Sequence, residues 1–568
     1  MAQGFLLPAT QQRCTAENLN LTEANVMTFR GCTIILTITD ALKDMILTAS
    51  RKKLLVVALA WTLWFVFAGF GNHQDPLYWL YKYQHLEGGW MAIGTLLTGG
   101  AVVQICGAEL LPLRLFGWLC TVAAIALPYC CLLDKEQRKN NLHWLALALL
   151  LMGYGAFQEF SPGTLTVLLL SAIWVLATKS QMTNDKLPIL TAILAGIAVS
   201  VRFPNILVLL VLIPLWKKRS LLCVPMVAAT AGIVYLLGYL FVTPAPMDAA
   251  MTSHDLWPMI TKLWTNAGML IGFILMGIGV LALGEKFKLQ ITNYKLHIAG
   301  IVTGTAFVLF IAYTIKPTQW YNIDLTYLIS ALCIVIALAA SKSPITNDKL
   351  PIGIAIMAIA TLGTDTAWLK LFPAVLCLLP VAAAQYAKPM RTYLWWVLVP
   401  VTLMVMVRHS TNSIGKNNLT DATTISAISP YRGIAITEAQ EARIRQYKTD
   451  FNELVNEGVS ELENRKVLAL GQENHLMRAV TGCEAARYNE FWSNIFDSVY
   501  TAKYRPIIEA EQPMVFCSFS PQFKTKPEYK DRQSAMENML RELGYQEIER
   551  SAFRYTIYIP NEYDQKIQ

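Results

Sequence analysis

The chain has 568 residues, of which 54% are apolar and only 15% are charged, and its mean hydropathy is +0.40. A soluble chain is roughly one quarter charged, so a water-soluble protein of this composition would leave much apolar surface exposed. Disorder is excluded as well, because 15 Trp, 23 Tyr and 22 Phe with so few charges are the opposite of a disordered composition. Since the apolar residues form many long runs, the sequence indicates a polytopic membrane protein.

The net charge of +8 is distributed unevenly along the chain. From His409 to the end, about 19 Lys and Arg stand against about 22 Asp and Glu, so the basic excess lies upstream. There the basic residues form short clusters between apolar runs, which is typical of the cytoplasmic loops of membrane proteins. The distribution argues against nucleic acid as a partner.

Basic residues at positions 51–53 precede the first apolar run, so the segment 1–50 is predicted to be cytoplasmic. It lacks the features of a secretory signal, and the biological start could be Met1 or Met45.

A transmembrane domain is predicted over residues 51–408, with a first external loop at 71–110. Within that loop, Trp90 to Cys106 is predicted to lie along the membrane interface, because counting it as a span would place Arg138 and Lys139 outside. About thirteen spans are predicted, near residues 54–70, 111–133, 142–157, 163–178, 188–202, 205–216, 221–243, 267–284, 297–315, 325–341, 351–363, 369–385 and 393–408.

The odd number of spans places the C-terminal region, residues 409–568, outside the cytoplasm. Its composition is that of a soluble protein, and helices near 438–461 and 533–543 with strands at 467–470, 514–519 and 553–559 predict a small α/β domain. Outside the cytoplasm, Cys483 and Cys517 could form a disulfide, or both could remain unpaired thiols. The predicted fold class is a polytopic all-α membrane protein with about 13 transmembrane helices and a C-terminal extracytoplasmic α/β domain.

Charged residues near a membrane are costly, so the few external ones are candidates for function. Asp75 follows the first span closely, where a carboxylate could take a proton from an acceptor hydroxyl or merely cap a helix. His73, His85 and Glu87 of the same loop could contact a donor or bind a metal, although two His and one Glu without a fixed motif are weak evidence for a metal site.

Three further candidates lie in later external turns. Glu159 is the only ionisable residue of its turn, and it could share a cavity with Asp75 or be solvated. Arg202 ends a helix, where its planar fork of donors suits a phosphate, or it could snorkel to the interface. Lys316 and Tyr321 could complete an anionic-lipid and sugar site, although an aromatic belt is the more ordinary explanation for the tyrosine.

These residues resemble the pattern of the GT-C class of membrane glycosyltransferases, particularly the protein O-mannosyltransferase and lipid A aminoarabinose transferase group. The resemblance also covers the helix start 111–117 (LPLRLFG) and the hairpin 194–204 (LAGIAVSVRFP). It implies that Asp75 is the catalytic base, Glu159 a second acid and Arg202 a contact of the donor phosphate. The chain departs from the family pattern in Gln74 and Pro76, which flank Asp75, and in Gln158 before Glu159.

The resemblance implies an inverting transfer of a sugar from a polyprenyl-phosphate-linked donor to a lipid, glycan or protein acceptor at the outer face of a bacterial inner membrane. The carrier phosphate is the leaving group, so no nucleotide site is needed. No cofactor is implied, and a divalent metal is compatible with the pattern without being required by it.

Two other classes of function stay open at this stage. One is a multi-pass transporter or lipid flippase, against which the sequence shows no clear inverted repeat. The other is a non-catalytic membrane scaffold whose external domain binds an envelope partner.

Overall fold

The structure is a computed structural model, and it describes residues 51–68, 74–88, 92–152, 160–180, 186–244, 272, 274–286, 293–314, 322–341, 349–362, 367–411, 421–456, 466–471, 486, 498–518, 527–550 and 555–560. The predicted N-terminal segment, with Met1 and Met45, lies outside these residues. Of the two predicted alternatives for Cys483 and Cys517, neither is tested, because Cys483 also lies outside them.

Helices lie at the apolar runs of the sequence, because a helix satisfies its backbone hydrogen bonds within one segment of chain. The first half of the membrane part contains α1 (Arg51–Phe67), α2 (Gln74–His85), α3 (Ile93–Cys106), α4 (Leu110–Leu132), α5 (Lys135–Leu151), α6 (Pro162–Ser180), α7 (Leu187–Val201), α8 (Leu209–Trp216) and α9 (Ser220–Phe241). Two short strands, β1 (Glu87–Gly88) and β2 (Thr243–Pro244), form a parallel pair that joins the end of α2 to the end of α9. The second half contains α10 (274–286), α11 (Asn293–Thr314), α12 (Asn322–Ser341), α13 (Lys349–Ala358), α14 (Ala367–Gln385) and α15 (Lys388–Thr411).

Four helical stretches of the described residues are long and apolar enough to cross a membrane on their own: Leu110–Leu132, Pro162–Ser180, Phe203–Phe241 and Lys388–Arg408. The helix α3 is only 14 residues long. At 1.5 Å per residue it reaches about 21 Å, which is less than the hydrocarbon thickness of a bilayer.

The stretch Phe203–Phe241, 39 residues long, is a hairpin of two helices and not one continuous helix. Lys217 has a φ of 51° and a ψ of −125°, which no continuing helix adopts. Ser200, just before the stretch, and Gly238, near its end, both lie against the first turn of α3. The chain therefore runs away from α3 along α8, turns at Lys217 and returns along α9.

The basic segment 134–139, predicted as a connecting loop, is instead the start of α5. The Asp134 side chain accepts a hydrogen bond from the backbone N–H of Gln137 at 2.7 Å, and Oε1 of Gln137 accepts one from the backbone N–H of Asp134 at 3.2 Å. Such a capping box satisfies two backbone donors and begins a helix inside a charged segment.

The main apolar core lies between α5 and α14, whose side chains at 144–151 and 371–383 are almost all buried. Large aliphatic residues on α9 point outward instead; Leu221 and Leu236 are 85% and 61% exposed. Exposed apolar surface of this extent on an apolar helix marks a face that contacts lipid.

The two ends of the helical bundle differ in charge. One end, called here the basic end, holds the starts of α1, α5, α7, α13 and α15 and the bend after α8. Its basic residues include Arg51, Lys135, Arg138, Lys139, Lys186, Lys217, Lys218, Arg219, Lys349, Lys388 and Arg391. The opposite end, called here the tail end, carries α2, α3 and the C-terminal region. Its described charged residues include Lys82, Glu87, Glu109, Arg114 and Arg202.

The C-terminal region contains the antiparallel pair β3 (Thr424–Ile425) and β4 (Ala435–Ile436), and it continues with α16 (Glu438–Asn456), β5 (Val467–Gly471), α17 (Ser498–Glu511), β6 (Met514–Ser518), α18 (Pro527–Glu542), β7 (Tyr545–Arg550) and β8 (Tyr555–Pro560). The last four strands form one sheet in the order β5-β6-β8-β7, with β5 and β6 parallel and the other neighbours antiparallel. The strand β7 was not predicted.

Alternation along the strands gives this sheet two buried faces. Met514, Phe516 and Ile557 pack toward α16 and the tail end of the bundle, whereas Val515 and Tyr558 pack under α17 and α18. The sheet is therefore covered on both sides.

The C-terminal region is joined to the helical bundle by polar as well as apolar contacts. The backbone N–H of Leu110 donates to the carbonyl of Pro430 at 3.0 Å, and Arg432 lies 3.8 Å from the carboxylate of Glu109. Because α2, α3, the start of α4 and α16 share one apolar cluster, the region lies directly on the segment predicted as the first loop.

Candidate functional site

Asp75 is the second residue of α2, so the predicted loop residue begins a helix. Its side chain lies outside the described part of the structure. Positions 75, 78 and 82 are separated by three and four residues, and such positions share one face of a helix. Asp75 is therefore placed on the same face of α2 as Tyr78 and Lys82.

Lys82 is a buried basic residue that the sequence did not single out. Only 3% of it is exposed, and its ammonium lies 5.4 Å from the centre of the Tyr78 ring. At 1.5 Å per residue, Lys82 is about 10 Å along the helix from position 75. One face of α2 thus presents an acid at its start and a buried ammonium two turns later.

Tyr83 fixes α2 against the turn that follows Glu159. The ring is fully buried between Trp79 and Phe160, with ring centres 5.8 and 5.9 Å away, and its hydroxyl donates to the carbonyl of Phe160 at 3.0 Å. The N–H of Phe160 in turn donates to the carbonyl of Leu113 at 3.1 Å. Phe160 is therefore held by both α2 and α4.

Arg114 is a second buried basic residue of this region, and it lies next to Leu113 on α4. It is 1% exposed, and its Nη1 donates to the carbonyl of Val66 at 3.5 Å, near the end of α1. A guanidinium excluded from water is costly and calls for anionic or polar partners. Sequence reasoning noted Arg114 only as part of a helix start.

His85 and Glu87 flank Tyr81 at the end of α2. The imidazole centre of His85 lies 4.4 Å from the Tyr81 ring centre, and the Tyr81 hydroxyl donates to Glu87 Oε2 at 3.5 Å. His85 is exposed and Glu87 is half-buried. In addition, the backbone of Glu87 pairs with Thr243 at the end of α9, so Glu87 helps to attach the loop to the bundle.

Arg202 caps two helix ends. It follows the last residue of α7, and its guanidinium donates to the carbonyls of Ala360, at 3.0 Å, and Leu362, both at the short helical turn that continues α13. These carbonyls have no partner within their own helix, so Arg202 satisfies acceptors that a helix end leaves open. The structure thus gives Arg202 a bridging role that the sequence did not predict.

The helix α3 lies between the α2 region and Arg202. Gly99 of α3 faces Tyr83 so closely that an added Cβ would lie 2.4 Å from the ring. One turn earlier in α3, the Thr95 hydroxyl donates to the carbonyl of Val201 at 3.3 Å. Asp75, Lys82, Arg114 and Arg202 consequently all belong to the tail end of the bundle.

Four predicted site residues, His73, Glu159, Lys316 and Tyr321, lie outside the described residues. Within the described ranges, no group of three or more His, Cys, Asp or Glu side chains is arranged to hold a metal ion.

No family model matches the chain, and no curated protein matches it either. Among solved structures, the chain is similar to the crystal structure of ArnT from Cupriavidus metallidurans in the apo state, with a TM-score of 0.40 and 11% sequence identity over 90% of this chain and 98% of that chain. The same protein bound to undecaprenyl phosphate matches with a TM-score of 0.40 and 10% identity over 89% and 97% of the two chains. ArnT belongs to the group that the sequence resembles. At this identity, residue roles rest on the geometry of this chain alone.

Proposed function

We propose that the chain is an inverting membrane glycosyltransferase that moves a sugar from a polyprenyl-phosphate-linked donor to a lipid, glycan or protein acceptor. The observation that carries this proposal is the face of α2 on which position 75 and the buried Lys82 lie together. A carboxylate and a buried cation at this spacing supply a proton acceptor and a contact for a departing phosphate.

The proposed reaction is a single displacement at the anomeric carbon of the sugar. The acceptor hydroxyl oxygen forms the new bond to that carbon while the bond to the phosphate oxygen breaks, so the configuration inverts. Asp75 takes the hydroxyl proton, and the polyprenyl phosphate leaves with the bonding electrons. Lys82 stabilises the negative charge on the departing phosphate.

Glu159 and Arg202 complete the proposed site. Glu159 immediately precedes Phe160, whose backbone is bonded to both α2 and α4, so it is proposed as the second acid. Arg202 uses two of its donors on the carbonyls of α13, and a guanidinium has five N–H donors. It is therefore proposed to contact the donor phosphate with those that remain.

The proposed orientation places the basic end of the bundle in the cytoplasm of a bacterium and the tail end outside its inner membrane. This orientation is supported by the concentration of Lys and Arg at the basic end, because the cytoplasmic loops of membrane proteins carry an excess of these residues. The predicted domain organisation follows: segment 1–50 is inside, and the transmembrane domain 51–408 carries the C-terminal domain 409–568 on its outer end.

The direct test is sugar transfer by the variant Asp75→Asn in membranes that contain the polyprenyl-phosphate-linked donor. The amide keeps the shape of the side chain but cannot accept the hydroxyl proton, so transfer should fall by at least 100-fold, the lower range of general-base catalysis. Unchanged transfer would contradict the proposal.

Glu136→Gln is the matched control, because Glu136 is an exposed acid at the basic end. It should transfer sugar like the unaltered protein. If the purified protein flips or transports a substrate without transferring sugar, the protein is a transporter or flippase and the proposed enzymatic function is wrong.

A further inference from the structure

Three helices begin side by side at the basic end of the bundle, and their basic residues converge on α5. Arg51, the first residue of α1, donates from Nη1 to the carbonyl of Lys139 at 3.0 Å and to Oδ1 of Asn140 at 3.5 Å. Arg391 in the first turn of α15 donates from Nη1 to Oδ1 of Asn141 at 3.0 Å. Two guanidiniums from different helices therefore flank two consecutive asparagines.

The basic residues at the starts of α1, α5 and α15 outnumber Asp134 and Glu136, the two acids at the start of α5. Neither Arg51 nor Arg391 makes an ion pair with a described residue, and their hydrogen bonds go to neutral oxygens. Arg138 donates to the carbonyl of Cys130, which is also neutral, and Lys139 adds a further charge. Like charges held this close favour the uptake of an anion.

The helix geometry adds to the same effect. The start of α15 carries partial positive charge, which favours anions, whereas the start of α5 is already capped by the Asp134 carboxylate. His143 of α5 has a buried Nδ1 that makes no hydrogen bond with the described residues, and its ring centre lies 4.8 Å from that of Trp395.

The position of the cluster along the helices identifies the kind of anion. Each helix becomes apolar within a few residues of its basic start, at Leu54 on α1, Leu142 on α5 and Leu394 on α15. The cluster therefore lies where the polar surface of the bundle meets its apolar surface, and in a bilayer this is the depth of the phospholipid headgroups.

We propose that Arg51 and Arg391, together with the start of α15, bind the headgroup phosphate of an anionic phospholipid. Basic residues that only set the topology of a membrane protein need no particular partner and would extend into water. Here both guanidiniums are held against α5 in a fixed arrangement. The proposal does not depend on the sugar-transfer reaction.

The test is native mass spectrometry of the full-length protein released from nanodiscs of dioleoyl-phosphatidylglycerol or dioleoyl-phosphatidylcholine. The unaltered protein should retain phosphatidylglycerol in preference to phosphatidylcholine. In the double variant Arg51→Gln/Arg391→Gln, the affinity for phosphatidylglycerol should fall about tenfold, the loss of one charge-assisted contact. Retention equal to that of the unaltered protein would overturn the proposal.

The matched control is Lys217→Gln/Lys218→Gln, which removes the same charge from the exposed bend at the same end. It should retain phosphatidylglycerol, and an equal loss in the control would show a general effect of charge and overturn the specific site. If the double variant does not fold, the single variant Arg51→Gln decides by the same criterion, because Arg51 is exposed at a helix start. Full displacement of the lipid by millimolar inorganic phosphate would assign the site to free phosphate instead.

Discussion

Lys82 shows what a single residue adds to the site beyond the sequence. A lysine among aromatic residues in a loop is ordinarily solvated, because burial of an ammonium is costly. Nothing in the local sequence indicated that Tyr78 and the packing of α2 on α3 would enclose it. The burial of Lys82 is therefore seen in the fold and could not be predicted from the sequence.

Removal of the Lys82 charge should weaken use of the lipid-linked donor. In Lys82→Met the aliphatic stem remains, and a lost contact to a charged group costs about 1.5–3 kcal/mol, or about 10- to 150-fold in kcat/KM for the donor. Steady-state transfer with varied donor concentration measures this loss. Gln84→Met, an exposed position on the opposite face of α2, is the control and should transfer normally. A normal kcat/KM in Lys82→Met would exclude the proposed phosphate contact.

Arg202 has a structural role that can be separated from its proposed phosphate contact. In Arg202→Gln the carbonyls of Ala360 and Leu362 lose their donor, which should cost about 1–3 kcal/mol and lower the midpoint of thermal unfolding in detergent. Arg202→Lys keeps one donor and should recover part of the stability. An unchanged midpoint in Arg202→Gln would show that the bridge to α13 contributes nothing to stability.

At the scale of the elements, hydrophobic runs predicted the helices well because burial in an apolar medium requires continuous apolar sequence. The predictions differ from the structure where polar local signals decide. The capping box of Asp134 and Gln137 converts a basic loop into a helix start, and β7 was missed because Tyr545–Arg550 is mostly polar. An edge strand of this kind is specified by its partner β8 more than by its own pattern.

The close packing of α2 on α3 gives a prediction at the same scale. Any side chain at Gly99 must displace the Tyr83 ring, so Gly99→Leu should break the hydrogen bond from Tyr83 to Phe160 and destabilise the protein by about 1–3 kcal/mol. The midpoint of thermal unfolding and the rate of sugar transfer should both decrease. Ala101→Leu, an exposed position of the same helix, is the control. If Gly99→Leu is as stable and active as the control, this packing does not position α2.

At the scale of the whole molecule, the charge pattern separates the chain into a basic end and a tail end, and both proposed sites follow from that separation. The acid of α2, Lys82 and Arg114 lie at the tail end beneath the C-terminal region, whereas Arg51 and Arg391 lie at the basic end. The sequence predicted which segments share an end from the basic clusters alone. It could not predict which tail-end residues lie together, because those contacts join α1, α2, α4 and α6 across the bundle.

The most direct test of the enzymatic proposal is a cryo-electron microscopy map of the protein in nanodiscs with bound polyprenyl phosphate. We expect the phosphate of this reaction product beside Lys82, on the face of α2 that begins at Asp75, with the tail end on the side of the membrane opposite Arg51. Phosphate density elsewhere, or Lys82 and Arg51 on the same side of the bilayer, would contradict the account.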